Sequence, residues 1–215
     1  LNPENPTYYF YRAKTHQAMN HSDLAEYDYT KSIQIVPEMA YYYNVRGLFY
    51  GLIGEYKKAN QDFDKVIKID TTDRAVYYNR SKMYIKLKEY DKAELDYLKS
   101  ISMDLNDPEG YYYLGELYEL RGKKIRALNN YSQAITKLEG ENEYYITESD
   151  GLKKMPESKV YLKRANLYKT LGESELMCED YQTALQLMEE EPNYSGKEIL
   201  KNELEEKVKE SCKDN

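Results

Sequence analysis

Two histidines, His16 and His21, and two cysteines, Cys178 and Cys212, are the side chains of this chain best suited to act as bases, nucleophiles or metal ligands. Their spacing assembles no site. Nucleophilic or acid–base catalysis needs a nucleophile beside a base, or groups with tuned proton affinity, and no Ser or Cys here stands in a motif with a histidine. The sequence has no phosphate-cradling glycine loop and no His-Glu-x-x-His helix, and two cysteines 34 residues apart lack the spacing of a zinc site. The expectation is therefore a protein that is not an enzyme, with no catalytic residue, metal or cofactor. What stands out instead is ring and hydroxyl chemistry, because the chain has 26 Tyr, three Phe and no Trp. Tyrosine combines a large apolar body with a hydrogen-bonding tip, which suits both cores and contact surfaces.

Composition narrows the class of molecule that must position these rings. With 41% hydrophobic and 32% charged residues the chain reads as a folded globular protein. A net charge of −7 has the wrong sign for neutralising phosphates, so nucleic acid is not expected as a partner. The longest apolar runs, such as Leu48-Phe49-Tyr50, are far short of the roughly 20 residues of a membrane span. So few cysteines exclude a disulfide framework and lean towards a reducing compartment such as the cytoplasm. A start at Leu1 rather than Met reads as a trimmed chain or one piece of a longer one.

The tyrosines recur with a period. Ala25, Ala59, Ala93 and Ala127 stand 34 residues apart, as do Tyr9, Tyr43, Tyr77 and Tyr111, then Ala13, Gly47, Ser81 and Gly115, then His16, Tyr50, Tyr84 and Tyr118, then Tyr29, Phe63, Tyr97 and Tyr131. They define contiguous units at 6–39, 40–73, 74–107 and 108–141, with a further unit at 158–191 after a 16-residue insert at 142–157. Each unit reads as two amphipathic helices, A and B. In the second unit Tyr43, Gly47 and Tyr50 share a face of helix A, Gly54 ends that helix, and Ala59, Phe63 and Ile67 share a face of helix B. Small residues such as Gly47 and Ala59 mark where the two helices cross. Met177 takes the crossing position of the last unit. The insert is expected to extend the preceding helix through Tyr144, Tyr145 and Ile146, with Pro156 opening the next. A terminal helix over 195–212 opens on a capping box at Ser195 and Glu198, and its Leu200, Leu204, Val208 and Cys212 stripe should cover the last unit's open face, as solenoids require. By the same pattern His16 and both cysteines are expected as small packing residues, and His21 as a solvated turn residue.

These residues resemble the tetratricopeptide repeat, most fully in 111–134, where Tyr111, Leu114, Gly115, Tyr118, Gly122, Ala127, Tyr131 and Ala134 match the family's signature. Arg12, Arg46 and Arg80 depart from it by replacing leucine, and such arginines can pair with acids on a neighbouring helix. The resemblance implies an all-α fold, a right-handed α-solenoid of five helix-turn-helix repeats plus a capping helix, in one domain over 1–215. It also implies a protein-interaction scaffold or adaptor, monomeric, with an A-helix groove that holds a peptide or helix of a partner protein. By family position the groove residues are Phe10, Tyr11, Lys14, Asn44, Leu48, Tyr78, Asn79, Lys82, Tyr112, Tyr113, Glu116, Lys163 and Asn166. An accessory region of a larger protein is the alternative, as is a co-chaperone without the standard carboxylate clamp. That clamp finds Asn79 in place but Asn44, Leu48, Glu109 and Tyr113 at the other four positions; one repeat further on it finds Tyr78, Lys82, Tyr113, Lys159 and Lys163, across the 16-residue insert.

Overall fold

The computed structural model describes residues 4–139, 156–190 and 197–212, together with the backbone of 145–148 and 151–154. The chain divides into two compact units, Leu1–Met103 and Asp104–Asn215. The first contains α1 (Pro6–Ala18), α2 (Ser22–Ile35), α3 (Ala40–Leu52), α4 (Tyr56–Ile69), α5 (Arg74–Lys86) and α6 (Tyr90–Met103). These pair as the antiparallel hairpins α1/α2, α3/α4 and α5/α6, with α2 against α3 and α4 against α5. The second contains α7 (Pro108–Leu120), α8 (Lys124–Leu138), the strands β1 (Tyr145–Glu148) and β2 (Gly151–Lys154), then α9 (Glu157–Leu171), α10 (Ser174–Glu190) and α11 (Lys197–Ser211). Here α7/α8 and α9/α10 are the hairpins, α9 stacks on α8, and α11 packs on α10.

The helices begin and end where local chemistry dictates. Asn5, Asp73 and Asp107 cap α1, α5 and α7 by accepting from backbone N–H groups of the first turn, and Pro6 and Pro108 need no partner at that position. Every A helix ends in the same turn. The amides of His21, Glu55, Glu89, Lys123 and Glu173 donate back five residues to the carbonyls of His16, Tyr50, Tyr84, Tyr118 and Tyr168. This Schellman geometry requires positive φ at the residue before each donor. Gly54, Gly122 and Gly172 supply it freely, while Asn20 and Lys88 are held there at φ 59° and 60°.

Where helices A and B cross, the contact is close. A Cβ on Gly47 would lie 2.8 Å from Phe63 Cε1, and one on Gly115 would lie 2.7 Å from Tyr131 Cε1. The rings at this B-helix position, Tyr29, Phe63, Tyr97, Tyr131 and Tyr181, are all fully buried. Tyr29 and Tyr131 still satisfy their hydroxyls, donating to Gln17 Oε1 (2.7 Å) and Glu119 Oε2 (2.8 Å) at the same register of helix A. Phe63 needs no such acceptor, and Gly51 stands at that register.

A second tie runs through four of the five hairpins. Arg12, Arg46, Arg80 and Arg164 on the A helices each make two hydrogen bonds, from Nε and Nη2, to the aspartate 16 residues on: Asp28, Asp62, Asp96 and Asp180. Distances run from 2.6 to 2.8 Å, the fork-on-fork geometry that a guanidinium allows and an ammonium does not. The remaining nitrogen reaches back to the preceding hairpin. Arg46 Nη1 donates to Thr30 Oγ1 (2.9 Å), Arg80 Nη1 to Asp64 Oδ1 (2.6 Å) and Arg164 Nη1 to Ser132 Oγ (3.1 Å). Each guanidinium also lies between two tyrosine rings, for example 5.9 and 5.6 Å from Tyr43 and Tyr50, and 5.4 and 5.8 Å from Tyr161 and Tyr168. Burial pushes the Asp62 and Asp96 carboxyls upward against the pull of their arginines, so attraction and desolvation oppose each other within the pair. In the remaining hairpin both partners are exchanged together: Leu114 is buried and Asn130 stands at the aspartate position, its amide donating to the Arg126 carbonyl.

Three expectations are corrected, and a fourth falls partly outside the described residues. The insert does not prolong α8, which ends at Leu138; its described part is an antiparallel hairpin pairing Tyr145 with Lys154 and Glu148 with Gly151. Tyr144 lies outside the described residues, and Pro156 stands at the N-cap position where α9 opens. Cys178 and Cys212 are not separate packing residues but a disulfide joining α10 to the end of α11. Of the three tyrosines at 41–43, where the 34-residue period marks only Tyr43 for packing and points its neighbours elsewhere, Tyr42 also packs, at 7% exposure, leaving Tyr41 as the outward ring. Finally, α11 begins at Lys197, and Ser195 of the anticipated capping box falls outside the described residues, while Leu200, Leu204 and Val208 do line its inner stripe.

Arg46→Ala, which strands a buried carboxylate, should cost about 3–5 kcal/mol of stability. The double exchange Arg46→Leu with Asp62→Asn, copied from Leu114 and Asn130, should restore all but about 1 kcal/mol, as urea unfolding of the three proteins would show. Lys88→Gly should raise the unfolding midpoint by relieving a left-handed conformation that costs a side-chain-bearing residue about 1 kcal/mol.

Candidate functional site

The A helices present a row of side chains whose depth differs from one position to the next. In the first unit Phe10 and Tyr78, both expected to line a groove, are instead buried at 3% and 6% exposure. Phe10 anchors a cluster, its ring centroid 5.5 Å from Tyr11, 5.4 Å from Tyr41 and 5.1 Å from Tyr42. Beside Phe10, Tyr11 is 62% and Tyr41 54% exposed, and Leu48, two turns further along α3 from Tyr41, is 40% exposed. Lys14 and Lys82 lie with Nζ 6.0 and 4.3 Å from the Phe10 and Tyr78 ring centroids, so each ammonium is drawn over an aromatic face. Asn44 and Asn79 are half-buried along the same helices, and the Asn44 side-chain oxygen is buried without an intramolecular donor.

The second unit's A helices carry a different arrangement. Tyr112 is buried at 1% exposure, and its hydroxyl donates to Glu116 Oε1 at 3.0 Å. Lys163 bridges two carboxylates, 3.1 Å from Glu116 Oε1 and 3.6 Å from Glu119 Oε2. Glu119 also accepts from Tyr131, so the glutamates are tied to buried phenols below and to an ammonium beside them. Asn166 accepts from the Tyr181 hydroxyl at 2.8 Å, which leaves its amide N–H groups as the outward donors. Tyr113 is half-buried, edge-on to Tyr112 with centroids 5.0 Å apart.

Of the thirteen anticipated residues, Phe10 and Tyr78 in the first compact unit and Tyr112 in the second are buried, and the other ten are partly or largely exposed. Sequence reasoning missed Tyr41. Its place two residues before Tyr43 is one helical turn from Val45 and Asn44, which was the available signal. It also missed Arg164 as a member of the arginine series, though Arg164 and Asp180 keep the 16-residue spacing of the other pairs. His16 is half-buried 3.9 Å from Asp28, in the slot held elsewhere by tyrosine. No group of three or more His, Cys, Asp or Glu side chains among the described residues is placed to hold a metal, and no helix among them is long and apolar enough to cross a membrane.

Residues 40–73, 75–107 and 158–190 match the family model described as tetratricopeptide repeat. A search of curated protein sequences found no match. Among solved structures the chain is similar to the protein MamA (20% identity, TM-score 0.68, covering 88% of this chain and 95% of that one). It is also similar to YrrB, described as a tetratricopeptide-repeat protein with an unusual peptide-binding site (18% identity, TM-score 0.60, covering 86% and 88%). A third is PilW, described as a type IV pilus biogenesis factor (19% identity, TM-score 0.68, covering 93% and 84%). At these identities the likeness is one of fold.

The buried phenols predict a pH limit. Burial pushes Tyr29 up to about 12, with Tyr41 adding to it, and Tyr161 up to about 12, with its bond to Glu139 adding. Tyr50, Tyr112 and Tyr131 are raised as well, by burial and then by their glutamate neighbours. The folded state favours the neutral phenol, so this contribution is complete below the ordinary value of 10 and is lost as pH rises from 10 through about 12. Phenolate absorbance should therefore rise in two classes, the second coinciding with loss of helical circular dichroism.

Proposed function

Because this chain belongs to the tetratricopeptide-repeat proteins, we propose that it is a protein-interaction module whose A-helix face holds an extended segment or helix of a partner protein. The observation that carries this reading is the set of Tyr11 and Tyr41 beside the buried Phe10 and Tyr42, with Leu48 further along α3, all three at least 40% exposed. Rigid aromatic rings over a packed base give contact area at small entropic cost, the property of binding hot spots. The half-buried Asn44 and Asn79 add amide groups that suit a peptide backbone, and Lys14 and Lys82 favour an acidic residue on the ligand. The carboxylate clamp of co-chaperones is a poorer fit, because Lys163 is already engaged by Glu116 and Glu119. No catalytic step enters this reading, and a monomer suffices for it.

The test compares the wild-type chain with Tyr11→Ala/Tyr41→Ala/Leu48→Ser in pull-downs from the source cell, beside a control, Leu95→Ala, exposed on a B helix. Partners held by wild type and control should drop at least tenfold with the triple variant while its circular dichroism stays native. Equal retention by all three proteins would place recognition elsewhere on the chain.

A further inference from the structure

We propose that the Cys178–Cys212 disulfide is a redox latch that holds α11 over the end of the last repeat, and that its reduction frees α11 from that face. The chain's two cysteines are both consumed in this one bond. It is placed where a latch has most effect. Cys178 lies in α10 and is buried, while Cys212 follows the last turn of α11, so the bond fastens the far end of the covering helix to the repeat it covers.

Without that bond the hold on α11 is slender. Among the described residues Leu204 is its one fully buried apolar side chain; Lys197 is buried at its start, Leu200 and Val208 are partly buried, and the opposite side is mostly charged, with Ile199 exposed. The ion pair Lys201–Glu189 (3.3 Å) has its carboxylate 67% exposed and contributes little. A helix of 15 residues is marginal in water by itself. Opening the 34-residue cross-link returns the segment's freedom and should shift the balance between docked and undocked α11 on the order of a hundredfold.

Beneath α11 lie Met177, Tyr181, Ala184 and Met188 of the last hairpin. In the first unit the equivalent faces of α2 and α4 are covered by the A helices α3 and α5 of the following repeats, and in the second unit α8 is covered by α9. The internal symmetry therefore states what such a face accepts: an amphipathic helix, which in the latched chain is α11 itself.

The bond is also reachable. A cleft of about 290 Å³ lined by Glu175, Cys178, Glu179, Gln182 and Cys212 opens onto it. In the opening step a thiolate of a dithiol reductant attacks Cys212 Sγ, the S–S bond breaks, and Cys178 leaves as a thiolate that takes up a proton. The reductant's second thiol then displaces Cys212, so two electrons and two protons pass to the protein and the reductant becomes a disulfide. Closure is the reverse, with a protein or small-molecule disulfide as oxidant. Glu175 and Glu179 at the rim favour an uncharged dithiol over an anionic thiol.

Hydrogen exchange of the full chain, followed with and without dithiothreitol, tests the latch, with Cys178→Ser/Cys212→Ser as a second route to the same state. In the oxidised chain the amides of 197–212 should be protected. Reduction, or the double substitution, should accelerate their exchange about a hundredfold while α9 and the body of α10 keep theirs. Unchanged protection after reduction would mean that packing alone holds α11 and would overturn the proposal. So would a chain, purified without reductant, that binds two equivalents of a thiol reagent while folded. Neither result bears on binding at Tyr11 and Tyr41.

Discussion

The geometry of four of the five hairpins depends on one constraint, that a buried carboxylate must meet a guanidinium at two points. Asp28, Asp62, Asp96 and Asp180 sit on B helices at 1–6% exposure, and the only orientation that satisfies such an acid is the one presenting both oxygens to the arginine of the A helix. Ordinary apolar packing tolerates a small rotation of one helix against another, but a fork does not. The pair therefore sets the crossing of A and B, and its third nitrogen carries the setting to the hairpin before. Because desolvation offsets much of the attraction, the pair contributes more to which arrangement forms than to how stable it is. The exchange of both partners at Leu114 and Asn130 agrees with that division: the acid and the base are dispensable together.

The abundance of tyrosine follows from the same source. A guanidinium half withdrawn from water needs company on its flat faces, and the residues three before and four after it on a helix are the ones that can supply it. Those positions are Tyr43 and Tyr50 around Arg46, Tyr77 and Tyr84 around Arg80, and Tyr161 and Tyr168 around Arg164. A phenylalanine could stack equally well but could not also donate, as Tyr50 does to Glu26 and Tyr161 does to Glu139. A further set at the B-helix crossing fills the core. Among the described residues only Tyr11, Tyr27 and Tyr41 expose more than half their surface.

Periodicity made the hairpins, their crossings and their turns legible, because a 34-residue step repeats every contact and a single pattern can be checked several times over. Depth was harder to read. Phe10, Tyr78 and Tyr112 follow the packing aromatic by one position, about 100° around the helix, where core grades into surface, and the chain's own choice of large rings there carried them inward. The hairpin at 145–154 was misread because a short apolar run such as Tyr145-Ile146 suits either helix or strand; the Asp150-Gly151 step that follows was the turn signal that favoured strands. The disulfide had no signature at all, since its pairing requires α11 to be laid along α10, a relation that lies in packing rather than in spacing. At the first repeat one substitution was more telling than it looked. Thr15 occupies the slot of Phe49, Leu117 and Leu167, each buried at 1–3%, and it is exposed, so the outer side of α1 is dressed for water.

The bond from Arg164 to Ser132 has a consequence for how this chain can vary. It joins two hairpins across the insert, yet it places the guanidinium against a B-helix hydroxyl at the same register as Arg46 against Thr30. The junction between α8 and α9 thus behaves as a splice: the stack reads through it as though the intervening segment had zero length. Since closing a loop twice as long costs only about 0.6 kcal/mol more, this seam can absorb cargo of another origin, such as a tag, an epitope or a whole small domain, while the helices on either side keep their alignment.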